Sequence, residues 1–436
     1  MTNRSAEPLS FPGCKGRRVE AEFSGGDVTS DGGVLLVRQA DLLLGLTAAI
    51  ARLLHDPRRQ ASCEHDLLSM LRQRVYGLAL GYEDLNDHDF LRDDPAWQTA
   101  VERVKAPASS PTLCRFENRA NRKAAVEIHQ VLLEQFIASF KRPPKRLVLD
   151  FDATDDPVHG NQEGRFFHGY YDHYCFLPLY VTCRDQLLVA YLRPSNIDGA
   201  KHAWAILALL ARRLRQEWPK VRIIFRGDSG FCRWRMLAWC DQRDVGYIVG
   251  LANNKRINRQ AGTLMKQAKT RFEASGRKQR LFGDLLYGAH TWDRRRRVIA
   301  RIEHGEQGSN PRYVVTNLPG RSKWLYERLY CARGEMENRI KEQMQLFSDR
   351  TSAHRWWPNQ FRLLLSSLSY VLLEAIRRLG LHGTELARAQ VATIRLKLLK
   401  IGAVIVRNTR RVRFLLASAH PHQNLFWLVA ARLKPG

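Results

Sequence analysis

At Leu147-Val148-Leu149-Asp150-Phe151-Asp152 the hydrophobic pattern of this chain changes period. Upstream, residues 1–140 read as an extended start followed by helices. Ser30-Asp31-Gly32-Gly33 is a loop or cap before a leucine-rich run to Leu54, and a second helix over 67–79 ends at Gly81. Thr112 caps a helix to residue 140, and Lys141-Arg142-Pro143-Pro144-Lys145 reads as a linker. Downstream, 147–152 predicts a strand and 176–182 with 187–192 a hairpin around Arg184-Asp185-Gln186. A helix over 201–216, a strand over 221–225, a helix over 233–243 and a strand over 246–250 follow. Three strands, helix, strand, helix, strand is an α/β order with a mixed sheet. The core is therefore expected at 145–251, interrupted by a basic, partly stranded insertion at 252–318 and resumed at 319–380. Helices over 326–347 and 360–379 belong to the resumed part, and 381–436 forms a basic, helical C-terminal region.

Three acids fall at telling places. Val148, Asp150 and Asp152 share one strand face, because side chains alternate. Asp228 follows the fourth strand in Arg226-Gly227-Asp228-Ser229-Gly230, where flanking glycines permit a sharp turn. Glu337 lies on the helix over 326–347, where Tyr330, Arg333, Glu337 and Lys341 fall on one stripe at about 100° per residue. Ile340, Met344 and Phe347 form the adjacent apolar stripe, so a docked helix aims Glu337 at the strand ends. Gly334 costs about 1 kcal/mol within that helix, which places a possible start there. A few carboxylates suffice for Mg²⁺, and two such ions about 4 Å apart serve in-line phosphoryl transfer. Asp150 is the alternative to Asp152, which lies nearer the strand end. A lone Asp at a strand end is more often a turn or cap, and Glu337 alone reads as a solvated helix acid; the joint pattern is the specific signal.

The chain has 436 residues, with 70 Lys+Arg against 43 Asp+Glu and a formal net charge of +27. A hydrophobic content of 44% excludes a disordered basic tail and supports a sizeable core. No run approaches the ~18 apolar residues of a membrane helix, no signal peptide is evident, and no membrane partner is expected. The eight Cys form no CxxC pair, which fits a reducing cytoplasm. So large a positive charge points to a polyanion, of which nucleic acid is the commonest. Residues 251–300 hold thirteen Lys/Arg and three acids, and 391–436 hold nine Lys/Arg and none. Arg395, Lys397, Lys400, Arg407, Arg410, Arg411 and Arg413 are interleaved with Leu, Ile and Val, as in a folded segment with a basic face. Arg294, Arg295, Arg296 and Arg297 are expected to be exposed, two on each strand face, and to contact phosphates.

Extended segments carry a resemblance. They include 30–33, Gly81-Tyr82-Glu83-Asp84-Leu85-Asn86-Asp87-His88, Leu113-Cys114-Arg115-Phe116-Glu117-Asn118 and Asp152-Ala153-Thr154-Asp155-Asp156. Further matches are Gly164-Arg165-Phe166-Phe167-His168-Gly169-Tyr170-Tyr171, Arg193-Pro194-Ser195-Asn196, residues 226–231 and residues 394–403. Over nearly its whole length the chain resembles DDE transposases of bacterial insertion sequences, specifically insertion-sequence family 1380. The resemblance implies a ribonuclease H-like catalytic core, with Asp152, Asp228 and Glu337 as a triad holding two Mg²⁺ (or Mn²⁺ in substitution). Related transposases carry Tyr and Arg before the Glu and a Lys after it. Tyr330, Arg333 and Glu337 keep that spacing, Met344 stands at the Lys position, and Lys341 is the substitute phosphate ligand.

The function expected is cut-and-paste DNA transposition in a bacterial cytoplasm, at the nucleoid. A homodimer would synapse the terminal inverted repeats, with 1–140 binding the ends; strand cleavage would free a 3′-hydroxyl that attacks target DNA. Arg333 and Lys341 would position phosphates, with Tyr330 in support, and Arg165 or Tyr170 would reach DNA from the loop after the first strand. The rivals are an inactivated DNA-binding descendant and a general metal-dependent nuclease. Zinc at His159, His168, Asp172, His173 and Cys175 is disfavoured by spacings that match no common ligand set. Trp356-Trp357-Pro358 reads as a core anchor at a helix start.

Overall fold

In the computed structural model, which describes residues 8–434, the chain divides into two compact units. One comprises Glu117–Glu374; the other takes the residues up to Phe116 and those from Ala375 on.

The first unit is a mixed α/β body around one eight-stranded sheet. Its strands are β1 (Arg146–Ala153), β2 (Leu179–Cys183), β3 (Gln186–Tyr191), β4 (Arg222–Gly227), β5 (Gly246–Leu251), β6 (Gln279–Tyr287), β7 (Arg296–Gly305) and β8 (Gly308–Thr316). Their spatial order is β6-β7-β8-β5-β4-β1-β2-β3. β1, β2 and β3 form an antiparallel meander, while β4 runs parallel to β1 and β5 parallel to β4. β8, β7 and β6 then continue the sheet antiparallel beyond β5. Residues 252–318 thus add three strands to the main sheet. They also add two helices, Lys255–Gln260 and α4 below, that had no counterpart in the expected elements.

Alternation sorts the strands by face. Leu147, Leu149 and Phe151 of β1 enter the larger core, with Ile223 and Phe225 of β4 and Tyr247 and Val249 of β5. Helices α1 (Arg122–Ala138), α2 (Ala203–Glu217), α3 (Trp234–Gln242) and α4 (Gly262–Ser275) cover this face with Phe136, Leu207, Leu214, Leu237 and Ala268. Ile224, Ile248, Ile299 and Val314 point to the opposite face, under Leu325, Tyr326 and Leu329. That covering segment begins at Ser322, winds as a π-helix over Leu325–Tyr330, and tightens to a 3₁₀ turn at Cys331–Arg333. It becomes α-helical at Gly334 as α5 (Gly334–Met344), the start that the glycine penalty indicated. Helix α6 (Trp356–Ala375) ends the unit; its Gln360 donates to Ala190 O and accepts from Leu192 N on and beside β3.

The sequence-expected helix over 112–140 is broken. Asn121 accepts a hydrogen bond from Ala124 N and starts α1 afresh. The leucine-rich run to Leu54 is likewise two helices, Val34–Leu44 and Leu46–Leu53, joined at Gly45 in a left-handed conformation.

The second unit joins the two ends of the chain. A three-stranded sheet is ordered Val412–Leu416, Ala403–Arg407, Val28–Thr29. Gly32 N and Gly33 N donate to Ile401 O (2.8 Å) and Leu399 O (3.1 Å). A Cβ on Gly33 would sit 2.0 Å from Leu398 O, so only glycine permits this approach. Asp31 is buried between Lys400 Nζ (2.7 Å) and Tyr82 Oη (2.5 Å). Three of the segments that carry the family resemblance, 30–33, 81–88 and 394–403, therefore meet in one place. No single helix among the described residues is long and apolar enough to cross a membrane.

Candidate active site

The register of the parallel strands sets the first two acids side by side. Asp150 lies opposite Arg226 and Phe151 opposite Gly227, so the next positions along β1 and β4 are Asp152 and Asp228. Neighbouring strands are about 4.8 Å apart, and residues at one level share a face. Asp150 and Arg226 make use of this directly. The Arg226 guanidinium grips both carboxylate oxygens of Asp150 and also donates to Leu329 O. Both side chains are buried, and Asp150 is thereby committed to a structural ion pair.

Asp152 has a different neighbourhood. Its Oδ1 accepts from Ala153 N (3.0 Å) and its Oδ2 from Arg333 Nη1 (3.0 Å). The same guanidinium reaches Glu337 Oε1 through Nη2 (3.0 Å). Burial pushes the Asp152 carboxyl up to about 6; Arg333 works against the shift, while Asp228 and Glu337 add to it. Burial disfavours the charge of Arg333, but Asp152, Tyr330, Asp228 and Glu337 together hold it more firmly protonated than usual. The three acids thus share one electrostatic environment centred on Arg333. Glu337 lies on α5, which continues the helical segment that begins at Ser322.

Asp228 caps the short turn Ser229–Phe231, accepting from Gly230 N (2.8 Å). The flanking glycines act otherwise than expected, since neither has a positive φ. A Cβ on Gly227 would press on the Phe231 ring at 3.1–3.3 Å, so this glycine admits a close ring contact. Gly250, at the end of β5, was not singled out in the sequence. A Cβ there would lie 2.7 Å from both Ser229 N and Tyr330 Oη. Its small size lets the Tyr330 hydroxyl and the Asp228 turn crowd against the strand end.

The loop after β1 folds into a small sheet of Asp156–Pro157, His173–Phe176 and Phe166–His168. His173 pairs with Asp155 (2.9 Å), and Arg165 lies 4.4 Å over the Tyr174 ring and bonds Asn161. Tyr170 is 84% exposed at the tip. Burial, and after it Asp155 and Asp152, raise the Tyr171 phenol to about 12.

The arginine cluster differs from its expectation. Arg294 and Arg295 are exposed, but Arg296 is buried, with Asp293 (2.8 Å) and Asp241 (3.2 Å) around its guanidinium. Arg297 is tied to Asp284 and to the carbonyls of Leu318 and Gly320. β7 begins only at Arg296, so alternation does not extend over all four residues. Arg395 donates to Ala79 O and Leu78 O at a helix end, and Lys400 pairs with Asp31; both hold the terminal unit together. Lys397 is half-buried, whereas Lys341, Arg410 and Arg411 are exposed.

All the donors at the strand ends are carboxylate oxygens, the chemistry a hard divalent cation requires. Among the described residues, however, no three acidic, imidazole or thiol groups are gathered around a point where one ion could sit. Arg333 stands between two of the candidates.

The chain belongs to the transposase family described as transposase DDE domain group 1, whose model matches residues 11–435. No curated protein matches it. Among solved structures, the cryo-EM structure of a piggyBac transposase synaptic complex with hairpin DNA is similar over 85% of this chain and 80% of that one. The identity is 11% and the TM-score 0.42.

Proposed function

We propose that this DDE transposase binds the terminal inverted repeats of a bacterial insertion sequence of family 1380 and moves it by cut-and-paste transposition. It would act in the cytoplasm, at the nucleoid, as a homodimer joining both ends. The observation that carries the reading is the β1–β4 register, which sets Asp152 and Asp228 at one level, together with the Arg333 bridge from Asp152 to Glu337. The antiparallel meander β1–β3 flanked by parallel β4 and β5 supports a ribonuclease H-like core.

Asp152, Asp228 and Glu337 are the proposed ligands of two Mg²⁺, with Mn²⁺ as a substitute. Asp152 is preferred to Asp150, whose oxygens are held by Arg226. When bound, the ions neutralise the scissile phosphate and act as Lewis acids. Arg333 and Lys341 hold phosphate oxygens, and Tyr330 supports Arg333 from the end of β5. Hydrolysis of one strand breaks a phosphodiester and leaves a 3′-hydroxyl. That hydroxyl then attacks a target phosphate, forming a new P–O bond as the old one breaks. Arg294, Arg295, Arg410 and Arg411 are exposed and would reach the DNA backbone, Arg294 out of its ion pair with Asp241 (2.6 Å). The test is Asp228→Asn, which is expected to abolish strand cleavage and spare DNA binding; full cleavage by the variant would refute the triad. A duplex without element ends separates transposase from general nuclease, because only the nuclease cuts it equally and yields no strand-transfer product.

A further inference from the structure

We infer that the hairpin over residues 9–21 is a dimerisation arm: its apolar face lies on the outer face of the three-stranded sheet of a second copy, and its basic turn enters the acidic cleft beside that sheet. The inference deepens the homodimer of the reading above and rests on that reading only for what the dimer does with DNA.

The arm is specified locally. Strands Leu9–Cys14 and Arg17–Ala21 pair antiparallel across the two-residue turn Lys15-Gly16. Both turn residues have a positive φ, 46° and 82°, as the hairpin turn that matches strand twist requires. Yet every residue of both strands is exposed. A two-stranded hairpin is marginal in water until another layer packs on it. This one has a face suited to such a layer. Leu9 lies opposite Ala21 and Phe11 opposite Val19, so the four stand on one side, with Leu9 64% and Phe11 53% exposed. Phe23, just after the hairpin, is also exposed, and Gly25-Gly26 then forms a joint that lets the arm reach away from its own sheet.

The matching surface lies in the same unit. In the three-stranded sheet Val404 stands between Leu415 and Val28. These three and Val406 form an exposed outer face, whereas Ala403 and Ile405 are buried on the other side with Ala96. Val28 also lines a cleft of about 480 Å³, together with Asp27, Asp87, Asp93, Asp94 and Phe90, the last 86% exposed. Apolar face and acidic cleft are thus one continuous surface. The arm carries the complement: an apolar face along its strands, and Lys15, Arg17 and Arg18 at its turn against the single acid Glu20. Such a cleft repels a phosphate backbone, so in a chain of net charge +27 this surface is suited to a basic protein segment rather than to DNA. A second copy brings arm and receiving surface together. The exchange is reciprocal, which closes the pair on a two-fold axis.

Sedimentation equilibrium of the full chain without DNA tests the inference, so its failure leaves the strand-cleavage reading standing, and a failed cleavage assay leaves the arm standing. Wild-type protein is expected to be a dimer in the micromolar range. Phe11→Asp with Val19→Asp is expected to weaken the dimer about tenfold or more, with native circular dichroism, because both positions are exposed in the single chain. Arg17→Glu with Arg18→Glu is expected to weaken it about fivefold, and adding Asp27→Arg with Asp93→Arg to restore it. A wild-type chain that stays monomeric throughout the micromolar range overturns the inference. So does a dimer indifferent to either pair of arm changes, or a charge exchange that restores nothing. Arm variants that dimerise like wild type but lose DNA affinity would make the hairpin a DNA-binding ribbon and overturn it as well.

Discussion

Replacing Asp152 by Asn should make the metal-free protein more stable near neutral pH, although it should disable the site. In the folded chain Asp152 keeps its proton up to about pH 6, against a usual value of 3.8, because burial and the neighbouring Asp228 and Glu337 outweigh Arg333. Between those two pH values the folded state carries more protons than the unfolded one. Stability therefore falls as pH rises from about 4 to about 6 and stays at the lower level above. The shift of roughly two units, at about 1.36 kcal/mol per unit, amounts to about 3 kcal/mol at about pH 7.5. Asn lacks the charge and removes this loss, which corresponds to a rise of about 6–12 °C in Tm for a unit of this size. Thermal unfolding of both proteins in chelator, across about pH 4 to 8, measures it. An Asp152→Asn protein no more stable than wild type at about pH 7.5, or one with the same decline between pH 4 and 6, would refute the electrostatic account of the cluster.

The arginine cluster separates buried from exposed charge. Arg296→Ala removes a buried guanidinium from Asp293 and Asp241; since Asp293 is exposed and Asp241 keeps Arg294 (2.6 Å), it should cost about 1–3 kcal/mol in urea unfolding. Arg295→Ala should leave unfolding unchanged and lower the salt dependence of DNA binding by about one counter-ion; equal effects of the two on stability would contradict their difference in burial. Gly33→Ala forces a Cβ against Leu398 O and Leu399 Cα and should destabilise the terminal unit by about 3 kcal/mol or more, an effect visible in calorimetry. A tolerated alanine there would mean that the two chain ends are not packed as closely as described.

Local periodicity made the sheet core legible. β1 to β5 and the helices between them have strong alternation or amphipathic stripes, and their observed limits fall within a few residues of the expected ones. The positions of Asp152 and Asp228 at strand ends and of Glu337 on a helix were readable for the same reason. What escaped depends on distant partners. Nothing near Arg296 announces that Asp241, from α3, accepts its charge. The sequence prefers Asp152 to Asp150 only by its place nearer the strand end; that Asp150 is held by Arg226 shows only in the register. The polar helix α4 has a weak apolar stripe, and its place is decided by the sheet it covers. Gly250 carries no local mark, because its constraint is the hydroxyl of a tyrosine 80 positions further on.

The junction of Gly32 and Gly33 with Leu399 and Ile401 has a consequence for biosynthesis. Everything the central unit needs lies within 117–374, so that unit can close while the ribosome is still translating. The leading segment must instead wait, its glycine seam open, until residues 399–401 have been made. A polypeptide cut short before residue 394 would then hold the finished 117–374 unit and a leading segment with nothing to zip against.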